Sequence, residues 1–457
     1  MNFLKDSYLL ENKLAEEVYS NIRDLPIFDP HTHVNVKKVV KNNGWSDIWE
    51  VEGATDHYVW ELMRKRGVEE EKITGDASNK EKWNKLAEIF PDLVGNPTYE
   101  WIHLDIKRRF GIEKVISSKT AEEIWTLAKE ELYKDYTLPQ NSLRDMGVKA
   151  LCSTDNPSME LKYHQQGKEK VEGVGIYPTW RPDKFLRINH NSWKKWIREL
   201  GEETEKNISD LQSFKGALKK THDYFDKVGC LASDHGLEKG ITKPVSEKEA
   251  AKIFLKGFEH NKNLNQKEII KFKSFLLTWF GTLNRRKNWV MQLHIGAMRD
   301  YREELFQTLG RDSGGDVLTQ SLDLATNLKY FLNRFDGELD IVLYYLDPTH
   351  LPMVATLSRA FPNVSIGAPW WFNDTPVGIE KQLRWLGSID LLANHAGMVS
   401  DSRKLMSFGS RVEIFRRCLS NTLGKMIDRG RVPKKVALKV ARNIAHTRKK
   451  DLFGFDK

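Results

Sequence analysis

Two histidines close the stretch Pro26-Ile-Phe-Asp-Pro-His-Thr-His33. A short apolar run leads into them, as at the end of a β-strand. Alternate side chains of a strand share a face, so His31 and His33 would point the same way and both imidazoles could reach one ion. A chain with 13 histidines also produces such a pair by chance. The plainer alternative is a strand end with one packed and one exposed histidine. Two further groups stand at the ends of apolar runs: His294 in 289–295 and Asp401 in 390–401. Three imidazoles and one carboxylate suit a divalent transition ion such as Zn²⁺ or Mn²⁺ better than Mg²⁺ or Ca²⁺. For His294 the alternative is a contact to substrate or to a ligand. No lysine ends any of these runs, so a single ion is the simpler expectation. Arg181, Arg403, His57, Tyr58 and Trp371 add cations and donors. Arg403 follows Asp401 by two, which would put it on the same strand face. Asp155, Asp234 and Asp347 end three more runs, either as general bases, as groups that orient one, or as caps of the helix that follows.

The elements that must position these groups form a regular series. Short apolar runs occur at 27–33, 148–155, 174–181, 229–235, 289–295, 340–347, 364–371 and 390–401. Helical spacing separates the later ones, at 158–170, 192–227, 247–280, 320–335, 349–361 and 376–387. A helical stretch at 5–23 precedes the first run, and another at 411–448 follows the last. Eight strands alternating with helices predict an α/β fold, a distorted (β/α)8 barrel whose active site forms at the C-terminal rim of the strands. A doubly wound open sheet is the competitor, and no Gly-x-Gly-x-x-Gly follows the first strand to support it. Between the first two runs, helical patterns at 45–51, 56–67, 80–90, 99–110 and 120–134 fill a span too long for a loop. We therefore expect residues 1–35 and 141–457 to form the barrel and residues 36–140 a helical insertion capping the site.

Composition narrows the function classes. The 457 residues are 40% hydrophobic and 30% charged, as in a soluble globular protein. No run approaches the length of a membrane span, and Met1-Asn-Phe-Leu-Lys-Asp6 lacks the pattern of a signal peptide. Cys152, Cys230 and Cys418 are far apart and form no Cys-x-x-Cys, which argues against a disulfide framework or zinc ribbon and for a reducing cytoplasm. The net charge of +9 comes from basic residues interleaved with acids, apart from a basic run at 434–450. Such a field favours an anionic small substrate over nucleic acid or a membrane surface.

The motifs together resemble those of the uronate (glucuronate) isomerases of the amidohydrolase superfamily. The segments are Asp-Pro-His-Thr-His33, Thr55-Asp-His-Tyr-Val-Trp60, Thr74-Gly-Asp76, Gly-Asn-Pro-Thr-Tyr-Glu-Trp101, Pro-Thr-Trp-Arg-Pro-Asp183, Ala-Ser-Asp-His235, Gln-Leu-His-Ile-Gly296, Asp-Ser-Gly-Gly-Asp316, Pro-Trp-Trp-Phe-Asn-Asp374 and Gly-Met-Val-Ser-Asp-Ser-Arg403. The resemblance implies a distorted TIM-type barrel with a helical domain inserted after strand one. It implies interconversion of D-glucuronate with D-fructuronate, and of D-galacturonate with D-tagaturonate. It also implies that His31, His33 and Asp401 bind one divalent ion with His294 close by, expected to be Zn²⁺ with Mn²⁺ as the alternative. Asp401 is further implied to take the C5 hydroxyl proton, and Tyr58 and Arg403 to polarise the C1 carbonyl. His57, Arg181, Asp234 and Trp371 are implied to line the substrate site. The expected partner is a small hexuronate, and a homo-oligomer is compatible with it. His395 departs from the family pattern and reads as a buried, hydrogen-bonded histidine; the basic tail is also less typical. The competing chemistry on the same scaffold is metal-dependent hydrolysis of an ester, lactone or amide.

Overall fold

In the computed structural model, residues 3–259, 264–319 and 322–455 are described. The apolar runs become short strands: β1 (Ile27–Asp29), β2 (Val148–Cys152), β3 (Gly175–Tyr177), β4 (Ala232–Leu237), β5 (Val290–Ile295), β6 (Ala297–Met298), β7 (Val317–Leu318), β8 (Ile341–Tyr345) and β9 (Val364–Ile366). β1, β2 and β3 pair in parallel, as do β4, β5, β8 and β9 in that order, and β6 and β7 form a small antiparallel hairpin. β5 and β8 are buried along their whole length, as expected for parallel strands covered on both faces.

The two parallel sheets belong to one ring. Just past β3, Trp180 bridges Asp155 on one side and Ser233 of β4 on the other. The remaining gap, between β9 and β1, was expected to hold a strand over 390–401. It holds an extended segment that forms no strand ladder. Leu392–Asn394 is a turn of 3-10 helix, Gly397 has φ +88° and Asp401 has φ +48°, so regular extended backbone cannot persist. Individual hydrogen bonds replace the ladder. Ala396 N–H donates to Ile366 O at 2.8 Å, Asp401 N–H to His31 O at 3.1 Å and His33 N–H to Ser402 O at 3.1 Å. Ser400 N–H donates to the Asp29 carboxylate at 3.1 Å. The result is a distorted (β/α)8 barrel with seven pleated staves and one irregular one.

β1 is also shorter than its apolar run. Pro30 supplies no N–H, and the strand stops at Asp29. His31 and His33 therefore sit in the loop beyond the strand, and strand alternation is not what aligns them.

Seven helices occupy the chain between β1 and β2: Val36–Lys41, Ile48–Glu52, His57–Lys65, Asn79–Ile89, Pro97–Phe110, Ala121–Leu132 and Pro139–Asp145. The first and last fall outside the helical patterns expected at 45–51, 56–67, 80–90, 99–110 and 120–134. Helix His57–Lys65 is fixed at its start by Asp56, whose side chain accepts the Tyr58 N–H at 3.0 Å. The expected helix over 5–23 is confined to Lys13–Ile22, with Asn12 as its cap. The helical stretch over 192–227 is two helices, Trp193–Thr204 and Leu211–Val228, broken at Glu205 with φ +52°. That over 411–448 divides at Gly430 into Phe408–Asp428 and a run of short helices starting at Lys434. The stretches over 247–280 and 320–335 include residues 260–263 and 320–321, which lie outside the described residues; Glu247–Glu259, Gln266–Lys287 and Leu324–Arg334 are helical. Helix Phe408–Asp428 packs against Lys13–Ile22 so closely that a Cβ on Gly424 would stand 2.6 Å from the Ala15 nitrogen. Among the described residues, no helix is long and apolar enough to cross a membrane.

Candidate active site

The loop after β1, the end of β5 and the irregular eighth stave bring four expected metal ligands together. His31 Nε2 and His33 Nε2 stand 3.0 and 3.1 Å from Asp401 Oδ1. The His31 and His294 rings are 4.5 Å apart between centroids, and Tyr344 stacks on the other face of His294 at 4.3 Å. Asp234 joins them from β4: its Oδ1 is 2.6 Å from His294 Nδ1 and its Oδ2 3.7 Å from His31 Nδ1. Two groups arise that could hold a metal ion, His31 with His33 and Asp401, and His31 with Asp234 and His294. The donor set passes a further test. His31 Nδ1 and His294 Nε2 are buried and lack a hydrogen-bond partner. Orphaned buried polar atoms are rare in folded proteins, and a divalent ion is the kind of group that satisfies imidazole nitrogen and carboxylate oxygen together.

Electrostatics fixes the charge states. Burial alone would raise the Asp401 pKa, but the hydrogen bonds with His31 and His33 hold it well below the ordinary carboxylate value. Its other oxygen accepts the Trp370 indole N–H at 2.7 Å. Asp234, wholly buried, is likewise held well below its ordinary value, mainly by Arg181 against the cost of burial. A cavity of ≈ 400 Å³ opens beside these groups, lined by His33, His57, Arg181, Trp371, Asp401 and Arg403 among others. Arg181 is pinned, with Nη1 3.0 Å from Asp234 Oδ2 and Nε 2.9 Å from Asp183 Oδ2. Burial pushes His57 down to about 4, so it is neutral at pH 7. Its ring meets Trp371 edge-on at 5.5 Å.

With this geometry in hand, comparison with known proteins is decisive. A sequence model of glucuronate isomerase matches residues 1–453. The uronate isomerase of Thermotoga maritima is 54% identical over 451 residues, covering 99% of each chain. That of Shouchella clausii is 37% identical over 468 residues, covering 100% of this chain and 98% of the other. A crystal structure of uronate isomerase from Thermotoga maritima superposes with a TM-score of 0.97 at 53% identity, covering 99% of this chain and 100% of that one. The glucuronate isomerase of Caulobacter crescentus has the same fold, with a TM-score of 0.95 at 23% identity, covering 100% and 97%. The chain belongs to the glucuronate isomerase family. It is a uronate isomerase, catalysing an aldose–ketose interconversion.

Within the isomerase, His33, His57, Arg181, Trp371, Asp401 and Arg403 line this cavity, while His31, His294, Asp234 and Tyr58 stand outside its wall. Asp234 does not line the cavity; it lies behind His294, and its bonds orient that ring and Arg181. Tyr58 is also absent from the cavity wall. Its hydroxyl donates to Asp374 Oδ2 at 3.2 Å, and burial together with that carboxylate keeps the phenol protonated. Arg403 does line the cavity, though not by strand alternation, because Asp401 is in left-handed backbone; its Nη2 is 3.4 Å from Asp312. Of the other strand-end carboxylates, Asp347 caps the turn at Thr349, while Asp155 lines the cavity with its pKa pushed up to about 6 by burial.

Four residues escaped the sequence reading. Trp370 bonds Asp401, Asp374 and Arg411 hold Tyr58 from behind, and Arg299 stacks on Trp371 at 4.4 Å. Trp370 and Asp374 stood inside a recognised motif. Trp371 and Phe372 follow with positive φ, which no residue type announces. His395 is buried as expected, accepting from Gly397 N–H at 2.9 Å and lying 2.9 Å from Gln382 Oε1.

Proposed function

We propose that this isomerase interconverts D-glucuronate with D-fructuronate, and D-galacturonate with D-tagaturonate, by proton transfer between C2 and C1 through a cis-enediolate. The observation that carries the reading is the convergence of His31, His33, His294 and Asp401, with an unpartnered imidazole nitrogen on each of His31 and His294, beside a cavity walled by arginines. These four residues would hold one divalent ion, Zn²⁺ in this proposal with Mn²⁺ as the alternative. When bound, such an ion supplies Lewis acidity where negative charge develops on oxygen.

The chain's own residues supply the rest. Asp401, ionised at neutral pH, takes the C5 hydroxyl proton of the open-chain sugar. Arg403 offers a fixed positive charge to the C1 oxygen, and Tyr58 a neutral O–H once it turns from Asp374. Arg181 cannot swing away from its two aspartates, so it acts as a preorganised cation on the cavity wall. His57 and Trp371 shape the opposite wall. Residues 36–140 serve as the cap that carries His57 and Tyr58 over the barrel mouth of residues 1–35 and 141–457. The enzyme works in the cytoplasm on a small hexuronate, without nucleic acid or membrane, and a homo-oligomer is compatible with this. Three free, buried cysteines fit that compartment.

The test is incubation of the chelated protein with D-glucuronate or D-fructuronate in D₂O, before and after adding Zn²⁺ or Mn²⁺. Expected is interconversion restored by one of the ions, with solvent deuterium entering at C1 or C2. Sugars left inert with either ion would overturn the proposal and favour hydrolysis.

A further inference from the structure

We propose that Lys449, in the basic C-terminal run, is a positioning residue for the metal-binding cluster: it fixes the eighth stave at Met398 so that Asp401 meets His31 and His33. The inference rests on the reading above that this cluster holds a divalent ion.

The eighth stave poses a physical problem. Buried backbone that joins no strand ladder must find other partners for its carbonyls. The C-terminal segment supplies them. Asn443 Nδ2 donates to Ala393 O at 2.8 Å. Arg448 Nη2 donates to Asn394 Oδ1 at 3.1 Å and to Ser365 Oγ of β9 at 3.0 Å. Lys449 Nζ donates to Met398 O at 3.1 Å, close before Asp401. His446 Nδ1 lies 3.2 Å from Pro26 O, and its ring meets Phe28 of β1 at 5.3 Å. Residues 443–449 thus touch both chain segments that lead into the cluster.

Lys449 differs from its neighbours in the run. It is 1% exposed, and a lysine is almost never buried so fully unless its amine is engaged. Its stem crosses the stave at Gly397, which has φ +88°; a Cβ there would collide with Lys449 Cγ. Past Met398, the stave is tied to β1 by Asp29, whose carboxylate accepts the Ser400 N–H at 3.1 Å and the His31 N–H at 3.4 Å. Lys449 is the cation that favours the ionised form of Asp29 against burial. Burial brings Lys449 itself down to about 7, with Asp29 opposing that shift. Lys449 therefore bears on Asp401 by two routes, the Met398 carbonyl and the Asp29 carboxylate, without lining the cavity beside it.

The experiment compares wild type with Lys449→Met, Lys449→Gln and Arg448→Met. Each protein is stripped of metal and then titrated, well below its unfolding temperature, with Zn²⁺ against a chromogenic chelator and with Co²⁺ by visible absorption. Lys449→Met keeps the stem and loses the donor. Its Zn²⁺ Kd should rise about 10–100-fold, as for loss of a group that orients metal ligands, and its Co²⁺ spectrum should change. Lys449→Gln restores a neutral donor and should fall between; it decides the matter if the Met variant does not fold. Arg448→Met loses bonds that end on Asn394 and Ser365, so it should lower the melting temperature and leave the Kd unchanged. A wild-type Kd and spectrum in the Lys449 variants would overturn the inference and leave the metal reading intact. An equal loss of affinity in Arg448→Met would also overturn it, since the effect would then be general loosening. A wild type that binds neither ion would overturn the metal reading as well.

Discussion

Asp401 binds on both oxygens, one toward His31 and His33 and the other toward the Trp370 indole. An amide at this position keeps the size and part of the bonding but cannot be an anion. Asp401→Asn is therefore expected to lose about 10³-fold or more in kcat while its thermal unfolding stays close to wild type. Near-normal turnover would remove Asp401 from the proton-transfer role. Residues of this kind were legible because metal chemistry admits few side-chain types, and His31, His33, His294 and Asp401 could be picked out by type and place. Tyr58 and Asp234 were singled out by type and place, but their bonding was not legible. Asp234 reaches His294 and Arg181 from the neighbouring strand, and one strand's sequence carries no record of what its neighbour presents.

At the scale of elements, the eighth stave and the inserted helices are locked by one buried lysine. Lys404, 1% exposed, places Nζ 2.9 Å from Glu52, 3.3 Å from Asp56 and 3.9 Å from Asp105, on or capping three different helices. Asp56 in turn caps the helix that opens with His57 and Tyr58. Burial pushes Glu52 up to about 8 even with the ammonium beside it, so the cluster has no surplus of positive charge to lose. Lys404→Met should cost about 3–5 kcal/mol in denaturant unfolding, because it strands buried carboxylates. Adding Glu52→Gln should recover part of the loss; a single variant as stable as wild type would show that the clamp is unimportant. Seven staves were readable as apolar runs, since parallel strands buried on both faces need them. The irregularity of the eighth was not, because it depends on left-handed backbone at Asp401 and on side-chain bonds from Asp29. The break at Glu205 was hidden for the same reason: the residue takes φ > 0 only under the pressure of its context.

For the whole molecule, buried histidines set the acid limit. Burial lowers His103, His164 and His222 to about 4 and His395 to about 3, all from an ordinary 6.5. Between those values the unfolded chain binds more protons than the folded one, so stability rises with pH and is lost as pH falls below about 6.5. Each group contributes on the order of 1 kcal/mol per pH unit in that window. Asp155 and Asp374, raised by burial to about 6, and Glu52, raised to about 8, act in the opposite sense, but with His57 and His235, also lowered to about 4, the histidines are six against these three. A melting temperature that drops steadily from pH 7 to pH 5 is expected, and a flat profile would contradict this balance. The irregular closure of the ring also has a consequence for biosynthesis. His31 and Asp401 are 370 positions apart, which at ribosomal rates is roughly 20–70 s of elongation. Once Val148–Cys152 has been made, the nascent chain can pair β1 with β2, but until the end of that interval it has neither Asp401 nor the helix Phe408–Asp428 that covers Lys13–Ile22. Closure of the barrel and assembly of the His31–His33–Asp401 cluster are thus one late event, and a ribosome stalled before residue 401 holds a chain with an open barrel and an incomplete cluster.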